Sequence, residues 1–138
     1  MKTLFLTSLI GLITVLSSCK ETDEIKVSEI ANVWRLEEVY VNGQLQDSRQ
    51  MPATHLGIQE NNTYYRNYVS GTWTISGNKI EFSPIEELGL STRRHQILEH
   101  TGDILILESS MTEKEYLWDF EDVAEDEVIT IREKFVKN

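Results

Sequence analysis

The chain has 138 residues, enough for one domain and hardly two. It carries 13 Lys and Arg against 23 Asp and Glu, a formal charge of −10. Such a chain repels phosphate backbones and anionic lipid surfaces, which argues against nucleic acid as a partner and against a basic patch as a membrane contact.

The start of the chain differs from the rest. Met1 and Lys2 give a short positive stretch, residues 4–16 carry no charge, and the small residues Ser17 and Ser18 lead into Cys19. That is the layout of a secretory signal. The apolar run is shorter than the roughly 20 residues a spanning helix needs. Leu16-Ser17-Ser18-Cys19 resembles the lipobox of bacterial lipoproteins, where the chain is cut just before the cysteine and acyl chains of the palmitate type are carried on it. The resemblance implies a cleaved signal peptide over 1–18 and a lipidated N-terminus with a flexible tether over 19–29. It also implies a lipid-anchored place in the cell envelope, at the outer membrane on its periplasmic or surface-exposed face. Cys19 is the only cysteine, so no disulfide forms within the chain. One acyl chain binds a membrane marginally, whereas two or three hold firmly. The charged run Lys20 to Glu24 reads as a solvated spacer.

From Ile30 onward the pattern is strands and turns. Trp34, Leu36 and Tyr40 are expected on one face of a first strand, with Val33, Val39 and Val41 on the other. Asn42-Gly43 is a strong hairpin signal, because both residues accept positive φ. Leu56 and Ile58 mark the next strand. After Glu60-Asn61-Asn62, the residues Tyr64, Tyr65, Tyr68 and Val69 continue as one run that Gly71 breaks. Trp73 and Ile75, then Ile80 and Phe82, alternate on either side of Ser76-Gly77-Asn78, the clearest hairpin in the chain. Residues 84–94 form a longer connection. Ile97 and Leu98 lead through Thr101-Gly102-Asp103 to Ile104–Leu107, which is apolar on both faces and is expected to be central. Tyr116, Trp118 and Phe120 alternate as a further strand. An acidic loop over 121–127 leads to Ile129, Ile131 and Phe135.

Eight or nine short strands with close turns predict an all-β fold over 30–138, a closed antiparallel barrel or a sandwich; closure into a small antiparallel up-and-down β-barrel would also remove the sheet edges. Trp34-Arg35-Leu36, the unit Leu56-Gly57-Ile58-Gln59-Glu60-Asn61-Asn62-Thr63-Tyr64 and the hairpin Gly71-Thr72-Trp73-Thr74-Ile75-Ser76-Gly77-Asn78-Lys79-Ile80 together resemble the lipocalin-like domains of bacterial, Bacteroidetes-type lipoproteins. Asn32 and Val33 stand where lipocalins proper favour a glycine. The resemblance implies a barrel with an internal cavity and no catalytic residues.

Candidate sites are few. His55, His95 and His100 are too dispersed for a metal, and the spacing of His95 and His100 puts them on opposite strand faces, as surface or rim residues. The carboxylates of 119–127 lack the alternating ligands and glycine of a calcium loop. No nucleophile elbow, phosphate loop or metal-binding His pair is present, so neither an enzyme nor a cofactor is expected. Two roles compete for Trp34, Trp73, Ile75, Ile80, Phe82 and Trp118: packing a filled barrel, or lining a pocket for a small apolar or amphiphilic ligand. The acidity of the chain predicts that such a pocket prefers a neutral or cationic amphiphile. The expected function is ligand binding by a membrane-anchored lipoprotein. The alternative is a non-enzymatic module with a filled barrel that contacts or inhibits an envelope protein.

Overall fold

The computed structural model describes residues 24–116 and 118–138. The expected signal peptide, Cys19 and the first part of the tether lie outside the described residues. A short helix, α1 (Val27–Ile30), precedes nine strands: β1 (Asn32–Val41), β2 (Gln44–Leu45), β3 (His55–Ile58), β4 (Thr63–Arg66), β5 (Val69–Ser76), β6 (Lys79–Pro84), β7 (Arg93–His100), β8 (Ile104–Thr112) and β9 (Val128–Lys137). A second short helix, α2 (Glu113–Tyr116), follows β8. From β3 to β9 each strand pairs antiparallel with the next, and β1 pairs with both β3 and β9. The result is a closed antiparallel barrel of eight strands, with β2 folded back on the end of β1.

The turns follow their residues. Asn42 and Gly43 take φ of 49° and 83°, the positive pair that joins β1 to β2. Gly77 (φ 59°) turns β5 into β6, which pair Trp73 with Phe82 and Ile75 with Ile80. Asn67 (φ 52°) makes a tight turn between β4 and β5. The expected single run from Tyr64 to Val69 is therefore two strands, and Tyr68 between them is wholly exposed. Gly71 lies inside β5, opposite Pro84, and breaks nothing.

Two irregularities re-aim side chains. A bulge between Leu36 and Glu38 shifts the β1–β9 register. One extra residue moves every later side chain to the other face. Val39 and Val41 therefore join Trp34 and Leu36 inside, while Tyr40, expected beside Trp34, faces out and donates from its hydroxyl to Glu38 at 2.7 Å. The second irregularity is at Tyr116, Trp118 and Phe120, expected to alternate along a strand. They form no strand: α2 ends at Tyr116, and 118–127 is an irregular segment held by the Glu113 carboxylate, which accepts the Phe120 N–H. In a barrel no strand is central, and β8 accordingly buries Leu105 and Leu107 while Ile104 and Ile106 are half-covered on the outside.

The two ends of the barrel differ. At one end α1 acts as a plug. Ile25 and Ile30 pack on Trp34, Ile58, Trp73, Ile80, Ile97, Leu105 and Phe135, and the Trp34 indole N–H donates to the Ile30 carbonyl at 2.9 Å. The Trp73 indole likewise donates to the Gln59 carbonyl at 2.9 Å, so both buried tryptophans have their one polar atom satisfied. At the other end Val39, Val41, Met111, Phe120, Ile129 and Ile131 form a second cluster under 118–127.

Close packing constrains two glycines differently. A Cβ at Gly71 would run into the Ser83 carbonyl and the Pro84 Cα, which are backbone; the atoms nearest to one at Gly57 belong to the Tyr65 ring on the half-exposed outer face. Gly71→Ala should therefore cost about 2 kcal/mol or more, in the range of overpacking, and Gly57→Ala should cost clearly less because the ring can turn aside. Urea unfolding midpoints compare the two directly, and equal losses would contradict the packing described.

Candidate functional site

Alternation along β9 places Ile129, Ile131, Glu133 and Phe135 on the inner face, and Glu133 is 1% exposed in the middle of the barrel. Arg66, at the end of β4, points in from the opposite wall. Its two terminal nitrogens donate to the two Glu133 oxygens at 2.9 and 2.5 Å. The Tyr116 hydroxyl donates to the same carboxylate at 2.7 Å. The Arg66 guanidinium lies 5.6 Å from the Tyr116 ring centre and 5.9 Å from that of Phe135, within cation–π reach of both. Burial raises the Glu133 pKa, but the charge and hydrogen bonds of Arg66, with His95 and Tyr116 adding to them, more than reverse this and hold it at about 2. Burial and the Glu133 charge push the Tyr116 phenol far above its usual range.

Above this pair lies a cavity of about 260 Å³. Leu36, Leu56, Val69, Phe82, Trp118 and Phe120 supply its apolar wall, and Met51, Pro52 and Thr54 of the segment before β3 close over it. Its polar groups are Tyr64, Arg66, Arg93, His95 and Tyr116, with Asn67 at the rim. His95 is 5% exposed and stands edge-on to Phe82, with ring centres 5.5 Å apart. Among the described residues its Nδ1 has no hydrogen-bond partner. Burial pushes the imidazole down to about 4, with the two guanidiniums adding to the effect and Glu133 and the Arg93 main chain opposing it. Arg93 forms no ion pair among the described residues and donates only to the main-chain oxygen of Glu115. Burial and the like charge of Arg66 lower its pKa, with the Glu133 and Glu115 charges opposing them.

Arg93 also stands at a gap. β7 pairs with β8 only over Gln96–His100 and Leu105–Glu108. Arg93–His95 and Ser109–Thr112 have no partners across that seam, although each pairs with its other neighbour, β6 and β9. Outside the opening lies a second, wider cleft of about 600 Å³, formed by Gly89–Arg94, Ser110, Met111, Lys114 and Glu115. Arg93 and Leu90 line both spaces. The guanidinium thus spans the seam to reach α2.

The chain matches no protein-family description, no curated protein and no solved structure.

Of the six residues singled out for a pocket, Phe82 and Trp118 line the cavity. Trp34, Trp73 and Ile80 are buried in the packed end, and Ile75 packs against them, so none of these four reaches it. His95, expected at the surface or rim, is inside, because β7 turns Arg93, His95 and Ile97 inward. The polar cluster itself was readable only in part. Glu133 interrupts an otherwise apolar inward row, and Thr112-x-x-Glu115 is a capping signature that announces α2, with Glu115 Oε2 accepting the Thr112 N–H at 2.7 Å. No helix among the described residues is long and apolar enough to cross a membrane.

A pH dependence follows from His95. Its pKa falls from 6.5 in the unfolded chain to about 4 in the fold. Below pH 6.5 the unfolded chain takes up a proton that the folded chain refuses, so stability declines as the pH drops. The Glu133 contribution is fully present above 4.5 and is lost only from there toward 2. Between pH 6.5 and 4.5 the protein should therefore lose about 2–3 kcal/mol on account of His95. His95→Phe should flatten that window in urea titrations. A wild-type curve as flat as the variant's would mean that the imidazole is not held neutral.

Proposed function

We propose that this domain is a binding module for a small single-chain amphiphile, held at the bacterial envelope by lipid on Cys19. The observation that carries the reading is the cavity: about 260 Å³, walled by aliphatic and aromatic side chains, with a few polar side chains among them. A mostly apolar concavity with a few convergent polar groups is the usual form of a small-molecule site. The volume is near the lower edge of such sites, which suits a short-chain ligand better than a bulky one. The lipocalin-like resemblance of residues 30–82 points the same way.

The pKa values of the cluster suit holding more than proton transfer. General acid–base work is favoured near the operating pH, whereas Glu133 is held at about 2, His95 at about 4 and Tyr116 far above its usual range. This favours a binding role over an enzymatic one.

Purification of the intact protein under native conditions, followed by mass spectrometry of what accompanies it, should reveal a single-chain amphiphile in near-stoichiometric amount. Added amphiphile should shift the Trp118 emission saturably, and Trp118→Phe should abolish the change. With no companion molecule and no saturable response, the filled-barrel module that contacts an envelope protein becomes the better reading.

The anchor is tested separately. Cys19→Ser should abolish acyl labelling and move the protein from the membrane fraction to the soluble one. Persistent palmitate labelling of the substituted protein would exclude Cys19 as the lipidated residue.

A further inference from the structure

The charges lining the cavity oppose the charge of the chain. Acidic residues outnumber basic ones 23 to 13, yet the lining includes Arg66 and Arg93 and no carboxylate. Glu133 lies behind Arg66 and engages it with both oxygens, so one of the two positive charges is met. Arg93 is not met. Its nearest acceptor is a neutral main-chain oxygen, and the Glu115 carboxylate is turned to the N–H and hydroxyl of Thr112 at 2.7 and 3.0 Å. His95, two residues along the same inward face, leaves its Nδ1 without a partner among the described residues. Side chains two apart on a strand are neighbours on one face. Arg93, which forms no ion pair among the described residues, and the His95 ring, with one unpartnered nitrogen, therefore both line the cavity from β7, beside the β7–β8 seam.

We propose that the cavity takes an amphiphile with an anionic, carboxylate-type head group, received by Arg93 and His95 at the seam. This rests on the reading of the cavity as an amphiphile site and adds the sign and place of the head group. A planar carboxylate matches the guanidinium fork, and the neutral His95 ring, which lines the same cavity, can donate one N–H. The tail then lies against Leu36, Val69, Phe82 and Trp118. A neutral head group leaves Arg93 uncompensated, and a cationic one adds a third positive charge. The preference for neutral or cationic ligands expected from net charge is thus reversed inside the barrel.

The test is isothermal titration of the full chain with octanoate, octan-1-ol and octylammonium below their aggregation limits. Octanoate should bind at least about tenfold more tightly than octan-1-ol, the scale of one charge-assisted hydrogen bond, and octylammonium most weakly. Arg93→Gln should bring the octanoate affinity down to that of octan-1-ol, and His95→Phe should lower it part of the way. If Arg93→Gln does not fold, Arg93→Lys serves instead: it keeps the charge without the fork and should keep a reduced octanoate preference. Equal wild-type affinity for octanoate and octan-1-ol, or an octanoate preference untouched by the Arg93 substitution, overturns the head-group assignment and leaves the amphiphile reading standing. Binding of none of the three overturns both.

Discussion

Burying the Glu133 carboxylate at the centre of the barrel costs several kcal/mol unless a counter-charge meets it there. Arg66 meets it from the opposite wall with a two-pronged contact, and Tyr116 completes the oxygen shell. Three elements distant in sequence, β4, α2 and β9, are thereby fixed to one point inside the barrel. Replacing such a pair with apolar residues of similar volume is often neutral or stabilising, so stability alone does not account for it. The pair marks the level at which packing gives way to space: Phe135 and the tryptophans fill one side of it, and the cavity occupies the other.

The same pair governs the electrostatics above it. Because Arg66 is neutralised, Arg93 is the charge that gives the cavity its sign, and because His95 is buried against Phe82 it remains an uncharged ring near neutral pH. Exposed carboxylates elsewhere affect the cavity little, since solvent and salt screen them over about 10 Å. Net charge describes how the whole molecule meets a surface. The lining describes how the interior meets a ligand, and in this protein the two differ in sign.

Much of the fold could be read from local chemistry. Asn42-Gly43 and Gly77 mark turns because few other residues take those conformations cheaply, and two-residue alternation marks the strands between them. What escaped were features with no local signature. The Leu36–Glu38 bulge inserts one residue and reverses a face, so Tyr40 and Val39 exchange places. The period-two spacing of Tyr116, Trp118 and Phe120 imitates a strand, although it belongs to a short helix and an irregular cover. Of the site, Phe82 and Trp118 were found by hydrophobicity. Arg66 pairs with a residue 67 positions away, and no periodicity reports that. Apolar pattern located the wall of the cavity, whereas its polar side depended on tertiary contact.

The plug formed by α1 also gives the molecule a direction. The described chain enters beside Ile25 and Ile30, at the pole where Trp34 and Phe135 are packed solid, and the cavity with its seam opens toward the other pole. Whatever is joined ahead of Glu24 is joined to the sealed pole. An attachment there leaves the β7–β8 seam, and the cavity behind it, at the end of the barrel remote from the point of attachment.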